Sequence, residues 1–136
     1  MAEDLRPDDV TILNEDRLLR CVRPIPSQLV TEPDGSKRPS SAVFKDPELS
    51  VNLESAMLAQ GRLPKETLSR FPGSCLTSIT AGDVRGYDFE KRESHPIVRD
   101  TAPPNDPAHA LVLGKKTNAF ANAMRRSHKW IVEPGP

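Results

Sequence analysis

The alternation of apolar and polar positions divides the chain into short elements. Residues 14–23 carry Leu18, Leu19, Cys21 and Val22 among Arg17, Arg20 and Arg23, and Pro24 and Pro26 close the run. A strand over about 17–23 is predicted, with Leu19 and Cys21 on one face and Leu18 and Val22 on the other, Arg20 between them. The densest run of local signals spans 38–53. Ala42-Val43-Phe44 and Leu49-Ser50-Val51 read as β-prone runs separated by the turn Lys45-Asp46-Pro47-Glu48, which predicts a hairpin with a four-residue loop. A helix over about 53–60 follows, capped by Ser50 or Asn52 and stopped by Gly61, with Leu53, Met57 and Leu58 as its apolar face.

Further along, Glu32-Pro33-Asp34-Gly35-Ser36 is a strong turn signal. Pro64 opens a short helix over 64–70 that turns Leu68 inward. Residues 74–80, small and β-branched, read as a strand. Residues 81–106, with Gly82, Gly86, Pro96, Pro103 and Pro104, read as a long loop pinned by Tyr87 and Phe89. Ala110-Leu111-Val112-Leu113 is a continuous apolar run bounded by Pro107 and Gly114, as in a strand buried on both faces. Thr117 or Asn118 caps a helix over about 119–127 whose inner face is Phe120, Ala123, Met124 and Ser127. Trp130-Ile131-Val132 closes as a strand. The fold class expected is α+β: a small mixed or mostly antiparallel sheet with two to three helices and long Pro-rich loops.

Composition adjusts this picture. A chain of 136 residues is one domain, and 36% apolar with 4% aromatic residues supplies a thin core. Fourteen prolines lengthen the irregular share. The expected division is a loose acidic arm over 1–13, a globular core over 14–133 and the long loop within it. Nineteen basic and nineteen acidic residues cancel, which argues against a globally electrostatic nucleic-acid binder. The charge is segregated, however. Residues 1–16 hold six acids and only Arg6, whereas from Ala108 onward Lys115, Lys116, Arg125, Arg126 and Lys129 face the single acid Glu133. No window approaches the ~18 apolar residues that span a bilayer, and the acidic start is not a signal peptide. These features predict a soluble cytoplasmic protein with no membrane association. Cys21 and Cys75 are then expected to be reduced and buried.

Three stretches carry a resemblance. Arg38-Pro39-Ser40-Ser41-Ala42-Val43-Phe44-Lys45-Asp46-Pro47-Glu48-Leu49-Ser50-Val51, Asp106-Pro107-Ala108-His109-Ala110-Leu111-Val112-Leu113-Gly114-Lys115-Lys116-Thr117 and Trp130-Ile131-Val132 resemble a group of uncharacterised small bacterial proteins of similar length. The resemblance covers most of 17–132. It implies a stand-alone bacterial domain and supplies no activity.

The chemistry legible in the residues is sparse. Ser40 and Ser41 beside Arg38 suit a phosphate or carboxylate, or else satisfy backbone groups in a turn. Arg20 either meets a carboxylate at the sheet edge or lines a cleft. Gly114-Lys115-Lys116-Thr117 invites comparison with a P-loop, but His109 stands where the first glycine belongs and Lys116 where Ser or Thr belongs. What remains is an anion site at a helix start. His95, His109, His128 and the two cysteines lack zinc spacing, so no metal and no cofactor is expected. His109 is the histidine placed as an acid or base, the alternative being a structural hydrogen bond to the adjoining loop. No Gly-x-Ser-x-Gly elbow supports a hydrolase. Arg125, Arg126 and Lys129 either complement the dipole of the last helix or form a binding patch.

The leading expectation is a binding or accessory protein acting through a macromolecular partner, in a toxin–antitoxin or phage defence or counter-defence setting. A protein partner is expected first, and a nucleic acid through the basic C-terminal helix second. The alternative is a nucleotide-using enzyme similar in outline to small ADP-ribosyltransferase-like toxins, with Arg20, Ser40, Ser41 and Glu90 in the functional roles. The binding residues named by this reading are Arg20, Arg38, Ser40, Ser41, His109, Lys115, Lys116, Arg125 and Arg126.

Overall fold

A computed structural model of the chain describes residues 6–69, 71–100 and 106–134. Eight strands are present among them: β1 Arg17–Val22, β2 Leu29–Thr31, β3 Lys37–Pro39, β4 Leu49–Leu53, β5 Cys75–Thr80, β6 Ile97–Arg99, β7 His109–Val112 and β8 Lys129–Val132. The three α-helices are α1 Glu54–Ala59, α2 Ala81–Lys91 and α3 Asn118–Ser127. Six strands form one sheet in the order β6-β7-β4-β1-β5-β8, and β2 and β3 form a separate hairpin. Every pairing is antiparallel. The fold is the α+β class expected from the sequence.

Period-two alternation decides the two faces of the sheet. Leu18 and Val22 of β1, Leu49, Val51 and Leu53 of β4, Ile79 of β5, and Ala110 and Val112 of β7 enter the main core. That face is covered by Val84 and Tyr87 of α2, by Phe120, Ala121 and Met124 of α3, and by Val43 and Phe44. Leu19 and Leu76 turn to the other face, where they meet Met57 of α1 and Leu68. Strand β5 is buried from Cys75 to Ile79 because both of its faces are covered.

Five expectations are corrected. Residues 42–51 are not a hairpin. Ser41–Phe44 is a 3₁₀ turn, and only 49–53 is a strand. Val43 and Phe44 are adjacent and both buried in the same core. A strand would send neighbours to opposite faces, whereas one tight turn delivers both to one side. The hairpin is instead β2–β3, folded about Glu32–Ser36, with Gly35 at φ +89°.

The long loop over 81–106 is largely ordered secondary structure. Thr80 caps α2 by accepting the Asp83 N–H while Asp83 accepts the Thr80 N–H, a reciprocal capping box. Gly82 lets the helix start approach residue 14 closely: its N–H donates to the Asn14 carbonyl at 2.8 Å, and a Cβ there would lie 3.1 Å from that oxygen. Tyr87 is buried and packs edge-on against Phe120, but Phe89 is 91% exposed and pins nothing. Residues 101–105 lie outside the described residues.

The acidic arm is tied down over its described part. Asp8 accepts from the Ile97 N–H and from Arg85, Asp9 pairs with Arg99, and Ile12 is buried. Residues 1–5 lie outside the described residues. The two misreadings share one cause: the acids of the first segment find their arginines inside the second.

Helix α1 is shorter than expected, and neither Ser50 nor Asn52 caps it. Asp16 reaches across to accept the Ser55 N–H and hydroxyl at its first turn. Leu58 is exposed, so the inner face of this helix is Met57. The expected helix over 64–70 is a 3₁₀ turn, Pro64–Leu68. Among the described residues no helix is long and apolar enough to cross a membrane.

Candidate functional site

Apart from Arg20 and Glu90, the side chains named from the sequence fall into three places. The first is a basic face. Arg125, in the last turn of α3, donates through Nε to the Pro39 carbonyl at 2.8 Å, and Trp130 Nε1 donates to the Lys37 carbonyl at 3.1 Å. These two bonds hold the β2–β3 hairpin, which carries Arg38, against α3 and β8. Arg38 also pairs with Glu32 at 3.4 Å. Burial first, then the charges of Arg38 and Arg125, lower the pKa of His128. Its Nδ1 is 2.8 Å from Thr77 Oγ1. Arg126 and Lys129 are exposed beside it in sequence.

Ser40 belongs to the scaffold of this face. Its hydroxyl donates to the Ser27 carbonyl at 2.6 Å and its N–H to the Gln28 carbonyl. That is the backbone-satisfying role. Ser41 begins the 3₁₀ turn and is half-buried.

The second place is the turn before α3. Lys116 is corrected as a binding residue. It is buried, and its ammonium donates to the carbonyls of Pro47, Val112 and Gly114 at 2.7–2.9 Å. Its three protons are thereby used on the main chain. Burial brings its pKa down to about 8, against the pull of Asp46, Asp88 and Glu48. Gly114 is required here: φ is +91°, and a Cβ would lie 2.5 Å from the Ser94 carbonyl. Lys115 is exposed, and its carbonyl lies 2.9 Å from His95 Nε2. The ten residues of α3, about 15 Å long, separate this turn from Arg125 and Arg126.

The third place is a polar row on the sheet face away from α3. Ser50 and Asn52 alternate with the core residues Leu49, Val51 and Leu53, and the register sets Asn52 opposite His109 and Ser50 opposite Leu111. Ser50 Oγ lies 2.5 Å from His109 Nε2. On the far side of the ring, Nδ1 is 3.0 Å from the Asp100 carbonyl and 3.2 Å from its carboxylate. His109 therefore makes the expected hydrogen bond to the adjoining segment. Asn52 donates to Asp106, which also accepts from Arg62 and from the Ala108 N–H. Burial works to raise the Asp106 carboxyl, but those bonds and the Arg62 charge together hold it below its ordinary value.

Arg20 stands with Leu18 and Val22 on the other sheet face. It donates to Asp46 at 2.8 Å and to the Ser50 carbonyl at 3.0 Å. Its partner is a carboxylate, as the plainer reading held, but β1 is an interior strand rather than an edge. None of the described hydrogen bonds or ion pairs joins Arg20, the two serines and Glu90 to one another. Glu90 is exposed on α2 and pairs with Lys91 at 3.5 Å.

Sequence reasoning gave Ser50 to a β-prone run or a helix cap and to no site, and it missed Asp100 entirely. The alternation over 49–53 was a usable signal for the polar face of β4. The pairing of β4 with β7, fifty-nine residues on from Ser50 to His109, had no local signal. Cys21 is half-buried and Cys75 buried, and both are free thiols. Among the described residues no group of three His, Cys, Asp or Glu side chains is arranged to hold a metal. Comparison with protein-family models, curated proteins and solved structures finds no match.

Proposed function

We propose that the protein is a binding protein that engages an acidic macromolecular partner through the face formed by Arg38, Arg125, Arg126 and Lys129. The observation that carries this reading is the bond from Arg125 to the Pro39 carbonyl, which fixes the hairpin bearing Arg38 against the helix end where Arg126 and Lys129 are exposed. In a chain whose formal charges sum to zero, such a concentration is a local feature. The face is also rigid, because the hairpin that carries Arg38 is bonded to the helix that carries Arg125. A preformed surface loses less freedom on association than a floppy one. A protein with an acidic patch is the partner proposed. An accessory role in a bacterial toxin–antitoxin or phage defence or counter-defence system is the setting that goes with it.

The test is recovery of partners from host cells by the tagged protein and by the charge-reversed variant Arg126→Glu/Lys129→Glu. A stoichiometric partner held by the wild type, released by rising salt and absent from the variant, is the expected result. Equal recovery by both proteins would sink the reading. A nucleic acid in place of a protein would show itself by a steep log–log salt dependence.

A further inference from the structure

We propose that Ser50, His109 and Asp100 form a serine-nucleophile site that hydrolyses carboxylic esters. This inference is independent of the basic face and rests on hydrogen-bond polarity. The Asp100 carbonyl can only accept, so His109 Nδ1, 3.0 Å away, carries the proton. The Asp100 carboxylate, 3.2 Å from the same nitrogen, is a second acceptor. The lone pair is thereby placed on Nε2, which faces Ser50 Oγ at 2.5 Å. That is the polarity an activated serine needs: a base within reach of the hydroxyl, oriented by a third group. The same logic recurs on unrelated folds and is recognised by geometry rather than by sequence order.

The site is open enough to react. His109 and Asp100 are about a quarter exposed, at 26% and 27% of their side chains, and Ser50 is half-buried. Ser50 sits within a strand rather than at a strand-to-helix elbow. The donor proposed for the oxyanion is a side-chain amide on the same face. Asn52, two residues along the same face, is fixed by one amide hydrogen to Asp106 at 2.8 Å, and its other hydrogen supplies that donor.

The step balances without a further reagent. Ser50 Oγ bonds to the ester carbonyl carbon and passes its proton to His109 Nε2. The carbon–oxygen bond to the leaving group breaks, and that oxygen takes the proton from Nε2. Water then attacks the acyl-serine with His109 as base. The carboxylic acid leaves and Ser50 regains its proton.

The experiment treats the whole protein with a fluorophosphonate, which forms an Oγ–P bond and expels fluoride, followed by intact mass and peptide mapping. The expected result is one adduct, on Ser50, absent from Ser50→Ala and formed roughly 100-fold more slowly in His109→Gln. Hydrolysis of p-nitrophenyl acetate is lost in the same two variants. Asp100 is a positioning residue: Asp100→Asn slows labelling roughly tenfold, and Asp100→Glu restores most of the rate. Absence of an adduct on Ser50 in the wild type would overturn the proposal. So would equal labelling of folded and urea-unfolded wild-type protein, which needs no variant, or a wild-type rate in folded His109→Gln.

Discussion

The Lys116 ammonium gives its three protons to the Pro47, Val112 and Gly114 carbonyls, so it acts as a bracket between the loop before β4 and the end of β7. Lys116→Met removes the donor and leaves buried acceptors unpaired. A loss of at least about 2 kcal/mol is expected in chemical denaturation, whereas Lys115→Met, at an exposed side chain, leaves the midpoint where it is. His128 gives the pH counterpart. Its pKa in the folded protein lies below the unfolded value, so between the two the unfolded chain binds more protons. The stability linked to it is complete above about pH 6.5 and is lost as pH falls from there through the folded value. His128→Asn keeps a polar partner for Thr77 and removes the titration. Denaturation of the two proteins from pH 8 to 5 should show a steeper acid loss in the wild type, and parallel curves would refute the assignment.

At the scale of elements, the caps decide where helices begin. Helix α2 is specified locally: the Thr80–Asp83 box lies within four residues, and Ala81, Val84 and Tyr87 follow at helical spacing to the core. Thr80→Ala is expected to cost about 1 kcal/mol, with hydrogen exchange quickening at the first turn of α2 before β5 responds. Helix α1 is specified at a distance, because Asp16, thirty-nine residues away, receives the N–H and hydroxyl of Ser55. The same contrast separates the strands. The apolar run that becomes β7 is plain in the sequence, and so is β1. The three-residue strands β2, β3 and β6 are too short to carry a period.

Across the whole molecule, charges segregated along the chain are brought together by the fold. The first segment gives Asp8 to Arg85 and Asp9 to Arg99, and seats Ile12 in the main core. Ile12→Ala should therefore behave as a core truncation and cost about 2–5 kcal/mol. A loss below about 0.5 kcal/mol in urea denaturation would restore the picture of a loose arm. Arg125, Arg126 and Lys129 lie at the end of α3 and the start of β8, next to the hairpin whose Arg38 is bonded to Glu32, and this is why the binding reading attaches there.

The sequence by itself determined the α+β class, the positions of β1, β5, β7, α3 and β8, and the face of β1 shared by Leu18 and Val22, because period and capping are local properties. It also placed His109 against the adjoining segment. Only the tertiary structure decided that Lys116 is a buried bracket, that Ser40 serves the backbone, that Arg125 is bonded to the hairpin carrying Arg38, and that Ser50 meets His109. Each of those depends on strand order or on the docking of the β2–β3 hairpin. Strand order follows from the packing of the whole core and leaves no trace within any window of the chain.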